Sequence, residues 1–85
     1  MKSFEYKITD ETGLHARPAG ALVKAASAFE SEIFLEKDKK KASAKKLFAL
    51  MGLCIKCGDT VKLIAEGKDE ETAAASLKKF FEENL

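Results

Sequence analysis

Near the N-terminus, apolar and polar residues alternate: Phe4, Tyr6 and Ile8 against Ser3, Glu5 and Lys7. A period of two predicts a strand with one buried face. After the polar loop Asp10-Glu11-Thr12-Gly13 the period changes. Ala19, Leu22, Val23 and Ala26 fall at i, i+3, i+4 and i+7, one apolar face of a helix from about Ala16 to Ala28. Gly20 inside it costs about 1 kcal/mol relative to alanine and is expected to permit close packing. Ile33 and Leu35 mark a strand over about Glu32 to Glu36. Lys37-Asp38-Lys39-Lys40 then reads as a hairpin turn into a short strand through Ala42 and Ser43. A short helix is predicted from about Lys46 to Leu53. Between Thr60 and Glu66, Val61, Leu63 and Ala65 alternate against Lys62 and Glu66 in a further strand, which Gly67 breaks. Asp69 is placed to cap a third helix, with Glu70 and Glu71 at its positive end. Ala73, Leu77 and Phe80 form that helix's apolar face, widened by Ala74 and Phe81.

The order βαββαβα, in strands with one polar face each, predicts an α+β fold. The sheet is expected to be four-stranded and mainly antiparallel, solvated on one side. Three helices must cover the other side to make a core, giving an open-faced sandwich. A chain of 85 residues allows one domain with a modest core, so residues 1–85 are expected to form a single domain.

Charge narrows the function. Fifteen lysines and arginines face 14 aspartates and glutamates, a net +1 that gives no general pull towards nucleic acid or membrane. The six lysines between Lys37 and Lys46 form a local basic run, but the run contains no aromatic residue for base stacking. We read it as a solvated hairpin and helix start. The longest apolar stretch, Leu47 to Ile55, is too short to span a bilayer. The charged N-terminal residues Lys2, Glu5 and Lys7 do not resemble a secretory signal, so a cytoplasmic location is expected. The pair Cys54-Ile55-Lys56-Cys57 has CxxC spacing but no second pair. Reduced, structural thiols are the favoured reading, with a redox role as the other.

The chemistry concentrates in Gly13-Leu14-His15-Ala16-Arg17-Pro18-Ala19-Gly20. Pro18 is tolerable only in the first helical turn, where its missing N–H has no helical partner. The helix therefore begins near Ala16, with the chain's only histidine at or near the N-cap. Such a start presents free N–H groups and about half a positive charge, a ready anion site that commonly serves phosphate. Arg17 adds a forked cation able to grip two phosphate oxygens. Thr12 and Gly13 turn the chain into the site, and Gly13 is expected to leave space beside the ring. Taken locally, the pattern fits two readings equally: a phosphoryl-holding histidine and a plain surface histidine.

The whole string resembles the active-site segment of the histidine-containing phosphocarrier proteins (HPr) of the phosphoenolpyruvate-dependent sugar phosphotransferase system. The resemblance extends over essentially the full chain in length and element order. Ala44 to Met51 looks like the family's second helix, and Gly58-Asp59-Thr60-Val61 like the entry to its last strand. The resemblance implies that His15 accepts a phosphoryl group on Nδ1 from phosphorylated Enzyme I and passes it to a histidine of a sugar-specific IIA domain. Arg17 falls on the family's active-site arginine and Pro18 on its motif proline. The N–H groups of Ala16 and Arg17 would hold phosphate oxygens. Thr12, Leu14, Gly20, Lys24, Lys46, Leu47, Phe48 and Met51 would contribute to a partner surface, with Lys45 adding positive charge, while Leu50 and Leu53 are assigned to the core. The resemblance implies a carrier rather than a stand-alone enzyme, with no cofactor and no metal, working as a monomer.

Lys46 is a departure. Many HPr proteins of low-GC Gram-positive bacteria carry a regulatory serine there. Lysine cannot accept a phosphoryl ester, so loss of that regulatory branch is predicted. Ser43 is read as a plain strand residue. Cys54 replaces a glycine frequent in relatives. Two alternatives remain: a carrier of the nitrogen-related phosphotransferase branch, and a regulatory HPr-like binding protein. Members of the latter kind lack the histidine, so His15 argues against it.

Overall fold

The computed structural model describes all 85 residues. Its elements are β1 (Lys2–Lys7), α1 (Ala16–Ser27), β2 (Glu32–Lys37), β3 (Lys40–Ser43), α2 (Leu47–Met51), β4 (Thr60–Glu66) and α3 (Glu70–Asn84). The sheet order is β1-β4-β2-β3, and every pairing is antiparallel. The predicted open-faced α+β sandwich is the fold observed.

Strand alternation sets the core. In register, Leu63 of β4 lies between Phe4 of β1 and Leu35 of β2. These residues, with Ile33, Val61 and Ala65, meet Ala19, Leu22 and Ala26 of α1 and Ala73, Leu77 and Phe81 of α3 in one cluster. Phe4 and Tyr6 approach Phe81 edge-on, with ring centroids 5.6 and 5.5 Å apart. Edge-to-face pairing of this kind adds about 0.5–1.5 kcal/mol to the area buried.

Four local expectations are corrected. The centre of the α3 face is Phe81, fully buried, whereas Phe80 is only half-buried. The helix therefore presents i, i+4 and i+8 to the core. Helix α2 ends at Met51, because Leu53 and Cys54 turn back by i→i+3 bonds to Leu50 and Met51 and Cys54 takes a left-handed φ of 53°. Gly20 packs against nothing: a Cβ there would have no neighbour within 4 Å. Finally, the open face is not wholly polar. Ile64 is buried there between Ser3 and Phe34, outside the main core. Around it a row of alternating charge, Glu5, Lys62, Glu36 and Lys41, crosses all four strands in register. Opposite charges paired across strands favour this register, and Lys41 Nζ lies 4.3 Å from the Phe34 ring centre.

Candidate functional site

The loop before α1 is built by short-range bonds. Asp10 Oδ1 accepts the N–H of Thr12 at 2.9 Å and its hydroxyl at 2.8 Å, an Asx turn. Gly13 donates its N–H to the Asp10 carbonyl at 2.9 Å and sits at φ +66°. A Cβ there would meet the Ile55 carbonyl oxygen at 2.5 Å and Lys56 Cα at 2.8 Å. Gly13 is thus needed for close approach of the 55–57 segment, not for space beside the histidine ring. Leu14 donates to the Ile55 carbonyl at 3.1 Å and is buried in the core. With Leu14 anchored inward, His15 emerges at the surface.

His15 is the N-cap of α1, in an extended conformation (φ −89°, ψ −177°). Its carbonyl accepts the Ala19 N–H at 2.9 Å, while its side chain makes no capping bond and is exposed. The N–H groups of Ala16 and Arg17 meet no protein acceptor, Pro18 has none to offer, and the first turn holds no acid. The positive end of α1 is therefore open to an external anion.

At the other side of the loop, Thr9 and Asp10 donate their N–H groups to the Leu85 carbonyl at 2.6 and 2.9 Å. This brings the end of α3 to the site. Asp10, His15, Arg17, Pro18, Ala21 and Asn84 line one open depression of about 270 Å³. Asp10 is held below the usual carboxylate range, chiefly by the N–H and hydroxyl of Thr12 and to a smaller extent by the charge of His15. Sequence reasoning passed over Asp10 and Asn84. The Asp-x-Thr spacing was a usable signal for the first; nothing local announces the second.

The other predicted residues divide. Thr12 is exposed, but its hydroxyl is committed to Asp10. Leu14 belongs to the core, so it offers no exposed surface to a partner. Leu47 is half-buried and packs on the core. Lys24, Lys46, Phe48 and Met51 are exposed, Phe48 to 86%. Lys45 is tied down by a 2.8 Å bond from Nζ to the Phe29 carbonyl. Cys54 and Cys57 are free thiols and exposed, so they fill no core; their segment is the wall against which Gly13 rests. No helix is long and apolar enough to cross a membrane.

An exposed histidine thus lies beside an open helix N-terminus on an antiparallel sandwich, a place with room and positive polarity for an anionic group. The family model for the phosphotransferase system HPr component phosphorylation site matches residues 2–83, and the chain belongs to the HPr family. It is 49% identical to the HPr-like protein Crh of Halalkalibacterium halodurans, covering 95% of this chain and 94% of that one. It is 46% identical to the phosphocarrier protein HPr of Borreliella burgdorferi, covering 82% and 81%. Among solved structures, HPr-C-His from Thermoanaerobacter tengcongensis superposes with a TM-score of 0.93 at 48% identity, covering 96% of this chain and 92% of that one. An HPr dimer from the same organism also matches, with a TM-score of 0.78 at 47% identity, covering 98% and 95%. Relatives of this fold thus include a dimer, and the monomer expectation gains no support from them.

Proposed function

We propose that residues 1–85 are one phosphocarrier domain that accepts a phosphoryl group on Nδ1 of His15 from phosphorylated Enzyme I and hands it to a histidine of a IIA domain. The observation that carries this reading is the exposed His15 ring beside the unengaged N–H groups of Ala16 and Arg17, with Arg17 on the same depression. Those donors would take phosphate oxygens, and the Arg17 fork would take the remaining charge. Binding must stay moderate, because a carrier has to release what it holds. The chain contributes position and charge to the transfer and needs no cofactor or metal of its own. The setting is cytoplasmic.

Phe48 and Met51, exposed on α2, with Lys24, Lys46 and Gly20, are the partner surface of this reading. An exposed phenylalanine together with exposed lysines suits a partner that offers both apolar and acidic groups. Phe48→Ala should change stability by less than about 0.5 kcal/mol. It should raise the KM for Enzyme I several-fold in a steady-state transfer assay.

The similarity to Crh favours a second reading, a regulatory HPr-like protein. Nitrogen-branch output is a variant of the first. The discriminating experiment is intact-mass analysis after incubation with phosphoenolpyruvate, magnesium and active Enzyme I. The carrier reading expects one acid-labile phosphoryl group on the native protein and none on His15→Ala. An unlabelled native protein would favour the regulatory reading.

A further inference from the structure

We propose that Asp10 is a positioning residue for phosphoryl release: its carboxylate keeps a proton on Nε2 of the phosphorylated His15 ring. The proposal rests on the carrier reading and adds a residue to it.

The geometry is that of the depression. Asp10 and Arg17 are the only charged side chains among its lining residues apart from the histidine itself. Both Thr12 bonds go to Oδ1 of Asp10, which fixes the carboxylate in place and leaves Oδ2 without a protein partner. No direct Asp10–His15 ion pair exists, so the coupling acts across the depression rather than by contact. Other groups around the loop are few. Glu11 is exposed within it, Lys56 is exposed on the segment behind Gly13, and the end of α3 brings uncharged Asn84 and the negative α-carboxylate of Leu85, which accepts the Thr9 and Asp10 N–H groups and is unchanged in the variants below. The phosphoryl group would neutralise Arg17 by pairing with it. About one negative charge then stays on the phosphoryl group, and Asp10 adds a second that acts on the far nitrogen of the ring.

The proton matters because of what leaves. During transfer the Nδ1–P bond breaks and its electron pair returns to Nδ1, while the acceptor imidazole supplies the pair for the new N–P bond. With Nε2 protonated, the departing ring is neutral imidazole; without that proton it is imidazolate, a far poorer leaving group. The acceptor keeps its own N–H proton and becomes the new phosphoimidazolium, so charge and protons balance. A negative group beside the site favours the protonated form and also repels the phosphoryl group it is helping to expel.

The test uses Asp10→Asn. Its amide oxygen still accepts the Thr12 N–H and hydroxyl, so the turn is retained and only the charge is lost. Native protein, Asp10→Asn and Glu11→Gln are loaded with phosphoramidate, which phosphorylates histidine without any Enzyme I, and the phosphorus resonance is followed against pH. One charge removed at this range in largely aqueous surroundings should move the titration midpoint of Asp10→Asn down by about half a pH unit. Glu11→Gln should leave it in place. An unchanged midpoint in folded Asp10→Asn, or an equal shift in both variants, overturns the assignment. Chemical loading also separates this test from the carrier reading. A shifted midpoint in a protein that Enzyme I does not label would sustain the Asp10 coupling and remove the carrier role.

Discussion

Two helices of this molecule begin in opposite ways. Helix α3 starts with acid: Asp69 is its N-cap, and Glu70 and Glu71 occupy its first turn. Asp69 does not cap its own helix as expected. Its carboxylate reaches back to accept the N–H groups of Glu30 and Ser31, both at 2.9 Å, and the Ser31 hydroxyl. Glu70 accepts the Gly67 N–H at 3.2 Å. The N–H groups of Glu71 and Thr72 meet no protein acceptor, but the acids of the first turn set negative charge beside them. Helix α1 starts with His15, Ala16, Arg17 and Pro18, has no acid in its first turn, and leaves two N–H groups open. The same backbone feature serves structure where the sequence supplies its own anion, and is free to serve chemistry where it does not.

Giving α1 an acid of its own should have the largest effect. Arg17→Glu should slow phosphorylation by Enzyme I about 100-fold or more, by removing a charged donor and adding a competing anion. Its thermal midpoint should hold or rise slightly, since an acid in a first turn stabilises by about 0.3–1 kcal/mol. Equal loss of activity and stability would mean that the first turn is structural after all.

Gly13→Ala comes next. The left-handed backbone and the 2.5 Å approach to Ile55 should cost about 1–3 kcal/mol in urea melts, and labelling of His15 should fall with the distorted loop.

At the closed end, Asp69→Asn should change the pH dependence of stability. The Asp69 carboxyl is held below its ordinary range, first by the Ser31 hydroxyl and then by the Glu30 N–H. A carboxyl depressed on folding contributes fully above its unfolded value, about pH 4, and that contribution is lost as pH falls through the lower folded value. The native thermal midpoint should therefore drop more steeply below about pH 4 than that of Asp69→Asn, while phosphorylation of His15 is untouched in both. Parallel acid limbs would show that the clamp carries no charge-dependent stability.

Gly20→Ala should have the smallest effect, and a favourable one. With open space around the position, alanine should stabilise α1 by about 0.5–1 kcal/mol. If transfer from Enzyme I slows in this more stable variant, the glycine serves partner approach rather than folding.

Much of this contrast can be read along the chain. The two periods gave β1, α1, β2, β4 and α3, the charged hairpin turn placed β3, and Pro18 located the start of α1 within the His15 segment. What failed needed tertiary information. Phe80 and Phe81 are adjacent, and only packing against Phe4 and Tyr6 selects the second as the core residue. Ile64 is buried on the outer face because β4 is central, a fact of strand order rather than of period. Asp69 has a cap residue's identity, but Ser31, 38 residues away, offered a stronger set of donors. In the site, His15, Arg17, Ala16 and Pro18 are contiguous and were visible. Leu14 was misassigned to the surface because its anchoring bond runs to Ile55. Asn84 arrives only because Thr9 and Asp10 hold the far end of α3.

The most direct measurement is hand-on of the phosphoryl group. Phosphorylated protein, freed of Enzyme I and phosphoenolpyruvate, would be mixed with a purified IIA domain and both chains weighed at intervals. The account predicts that the phosphoryl mass leaves this chain and appears on the IIA histidine, in a process slowed by Arg17→Glu. Retention of the group on His15, with an HPr control discharging normally to the same IIA domain, would contradict it.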